Sequence, residues 1–357
     1  MHNETGIISG TPTISFDYSP QAQQKQAEIM LALITEEMAD CSDTLYLLVD
    51  PVVLMMQPVD ELFGDRLVAR KPELVRPRHS SFSASEALWL LTLDLHHEDD
   101  RELLKTSIKV AVDELHPERL WRNTSRAVCG WLTSSFDTQT VARQLGETII
   151  QQLFFEQQSV SGEQRVSSQQ VRLRYYDPVI NNILWPVLDA VNQQRLMGVL
   201  SRWMLLDGDS QPVIRRFPAS PYAFFTFSLG LLPELTDFIM IYAEVINRTL
   251  DRYRKTFIHA PRYPELVAAG LIHAALDRLN SHPAFCDNEQ REDLAFRVLR
   301  YHPQIDQHPK IHYLLDPYTF SDYVPWTTRI RDISMPMWEQ YAQECTAREY
   351  QPQREMQ

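Results

Sequence analysis

The sequence predicts a mixed α/β N-terminal lobe, in which helices flank a small sheet, and an all-α C-terminal lobe. Short apolar runs such as Leu45–Val49, which suit inner strands of a covered sheet, alternate with amphipathic helical patterns as far as Asp207. After that position, strand patterns almost vanish. The chain has 357 residues, which is long for a single hydrophobic core and favours two domains.

Composition divides the chain into five parts. Residues 1–20 are polar and contain Gly and Pro, which predicts a flexible arm. Residues 21–210 form the predicted α/β domain, and prolines within residues 211–221 predict a linker. Residues 222–345 form the predicted helical lobe, and the polar residues 346–357 form a frayed tail.

Periodicity predicts the elements of the first lobe. Apolar residues at helical spacing indicate helices, and short apolar runs bounded by Pro or polar residues indicate strands. The predicted helices are Gln21–Ala39, Ser83–Leu93, Arg101–Leu115 and a helix capped by Asp137. The predicted strands are Leu45–Val49, Glu73–Arg76 and Ala127–Thr133, and Glu156–Gln170 is interpreted as a hairpin or an exposed loop.

A strand that turns directly into a helix is predicted midway along the chain. Residues Val171–Tyr176 alternate in polarity, which predicts a strand with Arg174 and Tyr176 on its more polar face. Asp177 and Pro178 follow. We expect them to begin a helix, because an Asp side chain accepts the free N–H groups of a first turn and Pro is tolerated there.

The continuation of this stretch predicts a βαβ-like unit. Pro186 interrupts the helical pattern and predicts a kink or two short helices. Val199–Leu206 is interpreted as the second strand, and Asp207-Gly208 as a turn. The second lobe is predicted to contain only helices: Leu232–Lys255, Pro264–Leu279, Glu289–Arg300 and Ser334–Glu344.

Charge limits the classes of expected partner, and cysteine usage indicates the expected cellular compartment. The formal net charge is -13 and no dense run of Lys and Arg occurs, which argues against nucleic acid and against an anionic membrane surface. The most apolar stretch, Ala223 to Ile246, is interrupted by Pro233, Glu234 and Asp237, which argues against membrane insertion. The first residues lack the basic and apolar regions of a secretory signal. The cysteines are far apart and form no CxxC pair, which is typical of reduced thiols in a cytoplasmic protein: Cys41, Cys129, Cys286 and Cys345.

Three stretches resemble the conserved domain of the type VI secretion effector chaperones, also called adaptor proteins. LYLLVDP, from Leu45, is similar to the first strand of that domain, and GWLTSSFDTQTVARQL, from Gly130, to its central strand and following helix. The third stretch carries the family pattern R-x-Y-D-P, Q and W with a following D: Arg174, Tyr176, Asp177, Pro178, Gln194, Trp203 and Asp207. The resemblance covers roughly Leu45 to Asp207.

This resemblance implies a cytoplasmic protein that is not itself exported. It would bind a secreted toxin effector, often at an apolar segment, and help to mount that effector on the spike protein of the secretion machine. The α/β lobe would carry the common function, and the helical lobe would carry specificity for the cargo. From the acidic balance we expect a cargo segment with basic flanks, and we expect a monomer when the protein is free.

The sequence offers two groups of candidate partner-binding residues and one group of residues with structural roles. Arg174 and Tyr176 are candidates for partner binding, although Arg174 could equally pair with a nearby carboxylate. The aromatic run after the prolines is a second candidate surface, with packing between the lobes as the alternative: Tyr222, Phe224 and Phe225. Structural roles are assigned to Asp177, Pro178, Trp131 and Trp203.

No catalytic residue, cofactor or metal ligand is predicted. The closely spaced histidines lack the patterns of zinc sites: His302, His308 and His312. No phosphate-binding glycine motif is present, and Ser134-Ser135 lacks the G-x-S-x-G pattern of a nucleophile. Two alternatives remain: a hydrolase with a site near Ser134, Asp177 and a His, and a scaffold that binds only the spike.

Overall fold

The computed structural model describes residues 13–56, 61–77, 86–116, 119, 126–158, 164–217, 228, 242–279, 287–315 and 325–349. These residues cluster into two compact units. The first, which we call the α/β unit, lies within Asp17–Asp237. The second, the helical unit, combines residues up to Phe16 with residues from Phe238 onward. The predicted fold class is confirmed, since the sheet lies in the first unit and helices dominate the second.

The α/β unit contains seven α-helices and eight strands among the described residues. The helices are α1 (Pro20–Ala39), α2 (Pro51–Met56), α3 (Glu61–Ala69), α4 (Glu98–Asp113), α5 (Thr138–Ile149), α6 (Pro178–Leu184) and α7 (Ala190–Met197). The strands are β1 (Thr44–Val49), β2 (Glu73–Val75), β3 (Leu88–Leu93), β4 (Val128–Ser134), β5 (Ile150–Gln158), β6 (Gln164–Arg172), β7 (Arg202–Leu206) and β8 (Pro212–Arg216).

Six of these strands form one sheet in the order β2-β3-β1-β4-β7-β8, and every neighbouring pair is antiparallel. The inner strands β1 and β4 are apolar on both faces, because the sheet is covered on both sides. Leu47 of β1 lies opposite Trp131 of β4, and both belong to one buried cluster with Met30 and Ile34 of α1. This packing fixes the two ends of the sheet, where the charged side chains lie.

Two predictions for the first lobe were wrong. One concerned the pairing of strands, and the other predicted a helix where the structure has a strand. The predicted βαβ unit does not form, because β6 pairs only with β5 in a separate two-stranded sheet and β7 pairs antiparallel with β4. The predicted helix over Ser83–Leu93 is a strand in its described part, β3, which pairs with both β1 and β2. A short apolar run fits a buried helix and a buried strand equally well, and strand pairing decides the outcome here.

The predicted linker also differs from the structure. Pro212–Arg216 forms β8, the edge strand of the sheet, and the hairpin between β7 and β8 turns at the predicted Asp207-Gly208. Pro212 is tolerated because it is the first residue of an edge strand, where its missing N–H breaks no ladder hydrogen bond. The boundary between the units falls at 237/238, after the predicted linker.

The helical unit contains α8 (Ala243–Thr256), α9 (Glu265–Leu279), α10 (Asn288–Arg300), α11 (Pro309–Leu315), α12 (Trp326–Arg329) and α13 (Met335–Glu349). Helices α9 and α10 agree closely with the predicted ones. Helix α13 begins as predicted but continues to Glu349, so residues 346–349 of the predicted frayed tail are helical. Residues 232–241 of the predicted helix Leu232–Lys255 lie outside the described residues. None of the described helices combines the length and the apolar character needed to cross a membrane.

Part of the predicted flexible arm belongs to the helical unit. Ile14 forms an isolated antiparallel bridge with Arg262, in which two backbone hydrogen bonds measure 2.9 and 3.1 Å. The guanidinium of Arg262 lies 3.6 Å from the ring centroid of Phe16 and is itself buried. Residues 13–16 are therefore held by a strand-like contact and a cation–π contact, whereas residues 1–12 lie outside the described residues.

Candidate functional site

A buried group of charged side chains lies at one end of the six-stranded sheet, where β1 and β7 end and β4 begins. All of its members are buried except Arg174, which is partly exposed. We call this group the Arg126 cluster: Asp50, Glu114, Arg126, Arg174, Asp177, Asp207 and Asp209. Five carboxyl groups and two guanidinium groups therefore lie together with little exposure to solvent.

Arg174 joins two helix starts within this cluster. The Oδ1 atom of Asp50 accepts the backbone N–H of Val52 at 3.0 Å and caps α2. The Oδ1 atom of Asp177 accepts the N–H of Val179 at 3.0 Å and caps α6. The Nη2 atom of Arg174 lies 3.4 Å from Asp177 Oδ2 and 3.9 Å from Asp50 Oδ2. One guanidinium therefore neutralises both capping carboxylates and ties the ends of two chain segments.

Arg126 is the buried cation of the cluster. Its Nη1 atom donates a 2.7 Å hydrogen bond to the carbonyl of Leu206, at the end of β7. Burial lowers the pKa of Arg126, whereas the negative charges of Asp177 and Asp207 oppose this shift. Because an uncompensated buried carboxylate is costly, we expect the Arg126 charge to stabilise this end of the sheet.

Two carboxyl groups of the cluster have raised pKa values. Burial raises the pKa of Glu114 to about 8, although its oxygens accept the N–H groups of Ala127 at 2.7 Å and Val128 at 3.4 Å. Burial and the neighbouring charge of Asp209 raise the pKa of Asp207 to about 6. At neutral pH Glu114 is therefore mostly protonated, which reduces the excess of negative charge around Arg126.

The structure corrects the expected orientation of Tyr176. Strand β6 ends at Arg172, and Tyr175 and Tyr176 lie in the following turn, so that both rings are buried rather than on a polar strand face. The Tyr176 hydroxyl accepts a 2.8 Å hydrogen bond from Arg172 Nη2. Of the two candidates Arg174 and Tyr176, Arg174 is the one that remains accessible to a partner, with a side chain that is 38% exposed.

The residues assigned structural roles lie in or beside the core. Trp131 and Trp203 are both buried, and the Trp131 indole donates to Ser107 Oγ at 3.0 Å. The Trp203 indole approaches Gly130, which has a φ of 139°. A side chain at Gly130 would clash with the indole nitrogen and with a backbone oxygen. Pro178 is buried in the first turn of α6.

Sequence reasoning missed Arg126 and Glu114, and it proposed three residues that cannot be placed. Arg126 stands directly before an apolar strand, a signal that the sequence offered, but Glu114 lies in an ordinary polar stretch after α4 without a distinguishing pattern. The aromatic candidates lie outside the described residues: Tyr222, Phe224 and Phe225.

Helix α2, which begins directly after Asp50 of the Arg126 cluster, and helix α3 expose several large apolar side chains. The exposed fraction is 73% for Met55 and 71% for Met56 on α2, and 65% for Leu62 on α3. Val52 and Val68 are also exposed. We call these five side chains the α2–α3 surface. Exposed clusters of this kind mark contact sites for proteins, and methionine adapts readily to partners of different shape.

The opposite end of the sheet carries a second charged group, which we call the Glu37 cluster: Glu37, Arg202 and Arg216. Ser134 lies at this end, where its hydroxyl donates to the carbonyl of Val199 at 2.7 Å. Because Ser134 pairs with the start of β1 and Asp177 lies beyond its end, the two residues do not meet in one site.

No group of three or more His, Cys, Asp or Glu side chains suited to a metal ion occurs in the described part of the chain. His308 is buried and its Nε2 atom lies 2.9 Å from Glu344 Oε2, a pairing of two residues within the helical unit. Comparisons with protein-family models, with curated proteins and with solved structures found no match for this chain.

Proposed function

We propose that this protein is a cytoplasmic chaperone-adaptor that binds a type VI secretion effector, shields an apolar segment of it and helps to load it onto the spike protein. The observation that carries the proposal is that the three stretches resembling this family are neighbours in the fold. They supply the adjacent strands β1, β4 and β7 and the two capping residues, Asp50 and Asp177, that Arg174 joins.

The α2–α3 surface supports a binding role. A chaperone holds apolar surface that water would otherwise drive to aggregate, so it needs an apolar contact surface of its own. Each Met side chain that becomes fully buried on binding contributes about 1.5–3 kcal/mol. Met55 and Met56 together would therefore supply a large part of the affinity for a protein segment.

The first test is co-expression with the effector encoded beside this gene, followed by size-exclusion chromatography of the soluble fraction. We expect a stoichiometric complex, and an effector that is insoluble when expressed alone. A soluble effector that elutes separately from this protein would reject the proposal for that pair. Binding of the spike without any effect on the effector would favour the scaffold alternative.

Matched methionine variants then locate the contact. Met55→Ser/Met56→Ser removes the most exposed part of the α2–α3 surface, and Met335→Ser/Met337→Ser makes the same change on the helical unit. We expect the first pair to weaken the complex by on the order of tenfold or more, since two apolar contacts are lost. The second pair tests the sequence-based expectation that the helical unit carries cargo specificity.

A further inference from the structure

A groove of about 740 Å³ lies between α1, α3 and α4 of the α/β unit. Its lining is mainly polar, with the small apolar side chains of Ala27 of α1 and Val110 of α4 largely buried beneath it. The pair Arg70 and Asp100 ties α3 to the start of α4, so the groove is bounded by packed helices rather than by loops alone. A preformed cleft between helices is a common site for a bound peptide segment.

The charges around this groove are not balanced. Two acidic side chains of the lining have basic partners: Glu102 pairs with Lys105 at 2.5 Å and Asp113 pairs with Arg119 at 2.9 Å. Arg66 and Lys109 also line the groove and are exposed, and no carboxylate of the described residues lies within ion-pair distance of either.

This excess of positive charge is notable in a chain that contains 47 acidic and 34 basic residues. The net charge of -13 steers basic partners toward the molecule as a whole, but a cleft focuses its own local field on whatever enters it. The two groove cations therefore select against a basic segment and in favour of one that brings carboxylates.

The groove is also continuous with the α2–α3 surface. Leu62 and Arg66 are four residues apart on α3 and therefore lie on the same face of that helix. A segment that covers Leu62 would place its next residues beside Arg66. A single bound segment could therefore make an apolar contact with Leu62 and a charge contact with Arg66.

We propose that this groove binds an acidic segment of the effector, whose carboxylates pair with Arg66 and Lys109 and whose neighbouring apolar residue contacts Leu62. This inference rests on the proposed function and adds to it the position and the charge of the cargo segment. It replaces the expectation of basic flanks, which was based on net charge, with a local requirement for acidic residues.

The test uses the full-length protein and the effector encoded beside its gene. The variant Arg66→Glu/Lys109→Glu reverses the groove charges. The control Arg143→Glu/Lys310→Glu makes the same change in net charge at exposed positions that do not line the groove. We expect the groove variant to weaken effector binding by on the order of tenfold or more, with the control close to wild type. Equal effects of the two variants would overturn the inference.

A second measurement determines the chemistry of the bound segment. Overlapping peptides that cover the effector are immobilised and probed with the wild-type protein and with the groove variant. We expect the retained peptides to be acidic, to contain an apolar residue and to be lost with the groove variant. Retention of basic peptides, or equal retention of the acidic peptides by the groove variant, would overturn the inference. If the effector does not bind the wild-type protein in solution at all, the proposed function fails as well.

Discussion

The two ends of the six-stranded sheet use the same kinds of charged side chain in opposite environments. In the Glu37 cluster, Arg216 is 60% exposed and Arg202 is partly exposed, and the Arg216 guanidinium holds the pKa of Glu37 below its usual value. In the Arg126 cluster, burial dominates and raises the pKa of Glu114 to about 8. We expect the stability of each end to depend on pH and on single residues according to how far water reaches it, rather than according to its number of charges.

Removal of the central cation is expected to have the largest effect. Arg126→Met would leave several buried carboxyl groups without their neighbouring charge and the Leu206 carbonyl without its donor. We expect a loss of about 3–5 kcal/mol in the free energy of unfolding, as for other broken buried charge pairs. Denaturant unfolding measured by tryptophan fluorescence checks this value.

The matched variant Arg216→Met removes a guanidinium from the exposed end and should cost less than about 1 kcal/mol. If Arg126→Met does not fold, Arg126→Lys retains a charge without the guanidinium fork and should still be less stable than wild type. Similar costs for Arg126→Met and Arg216→Met would show that the two ends do not differ as described.

The next largest expected effect is the change with pH in the contribution of Glu114 to the free energy of unfolding. Its folded-state pKa of about 8 exceeds the ordinary value of 4.5, so the folded protein binds the proton more tightly than the unfolded chain does. The contribution of Glu114 to stability is therefore greatest below about pH 4.5 and falls as the pH rises toward 8. One pKa unit corresponds to about 1.4 kcal/mol, which limits the change to about 5 kcal/mol; we expect about half of this, because relaxation reduces burial penalties.

The variant Glu114→Gln retains an oxygen that can accept the N–H of Ala127 but cannot ionise. Its free energy of unfolding should fall less than that of the wild type between pH 5 and pH 8, when both are measured by denaturant titration over that range. Glu98→Gln, at an exposed position in the first turn of α4, serves as the control and should retain the wild-type slope. A wild-type slope for Glu114→Gln would contradict the raised pKa.

The sequence predicted local features that depend on short-range chemistry. The Asp177 cap is one of them, because a capping side chain and its N–H partner lie within the same few residues. The two wrong strand assignments depend on distant pairing instead: β3 is fixed by β1 and β2, and the alternating pattern before Tyr175 continues past the point where β5 stops pairing. Periodicity alone carries no information on which strands meet.

The Arg126 cluster illustrates the same limit for a site. Asp50 and Asp177 were visible as residues that precede prolines, but their meeting through Arg174 depends on the fold. Glu114 gave no signal, since a carboxylate after a helix is ordinary in a sequence and becomes unusual only when it is buried beside Ala127 and Val128. Burial of a charge is a property of the packed chain and not of its neighbours in sequence.

A variant of Arg174, the partly exposed member of the Arg126 cluster, tests whether this residue contributes to stability or to partner binding. Its guanidinium lies 3.4 and 3.9 Å from two capping carboxylates, distances that suit charge pairing more than close hydrogen bonds. We expect Arg174→Met to cost about 1 kcal/mol in the free energy of unfolding and to leave effector affinity near the wild-type value. A large loss of affinity without loss of stability would instead favour its sequence-based role in partner binding.

The smallest expected effect is the change with salt concentration in the stability cost of each variant. This change distinguishes the exposed end of the sheet from the buried end most directly. The pair between Glu37 and Arg216 is open to solvent on the arginine side, and the Debye length falls to about 3 Å at about 1 M salt. The cost of Arg216→Met should therefore almost disappear when unfolding is measured at high salt. Buried charges are screened much less, so the cost of Arg126→Met should persist. If salt reduces both costs equally, water reaches the Arg126 cluster, and the raised pKa values of Glu114 and Asp207 would have to be explained by their neighbouring charges rather than by burial.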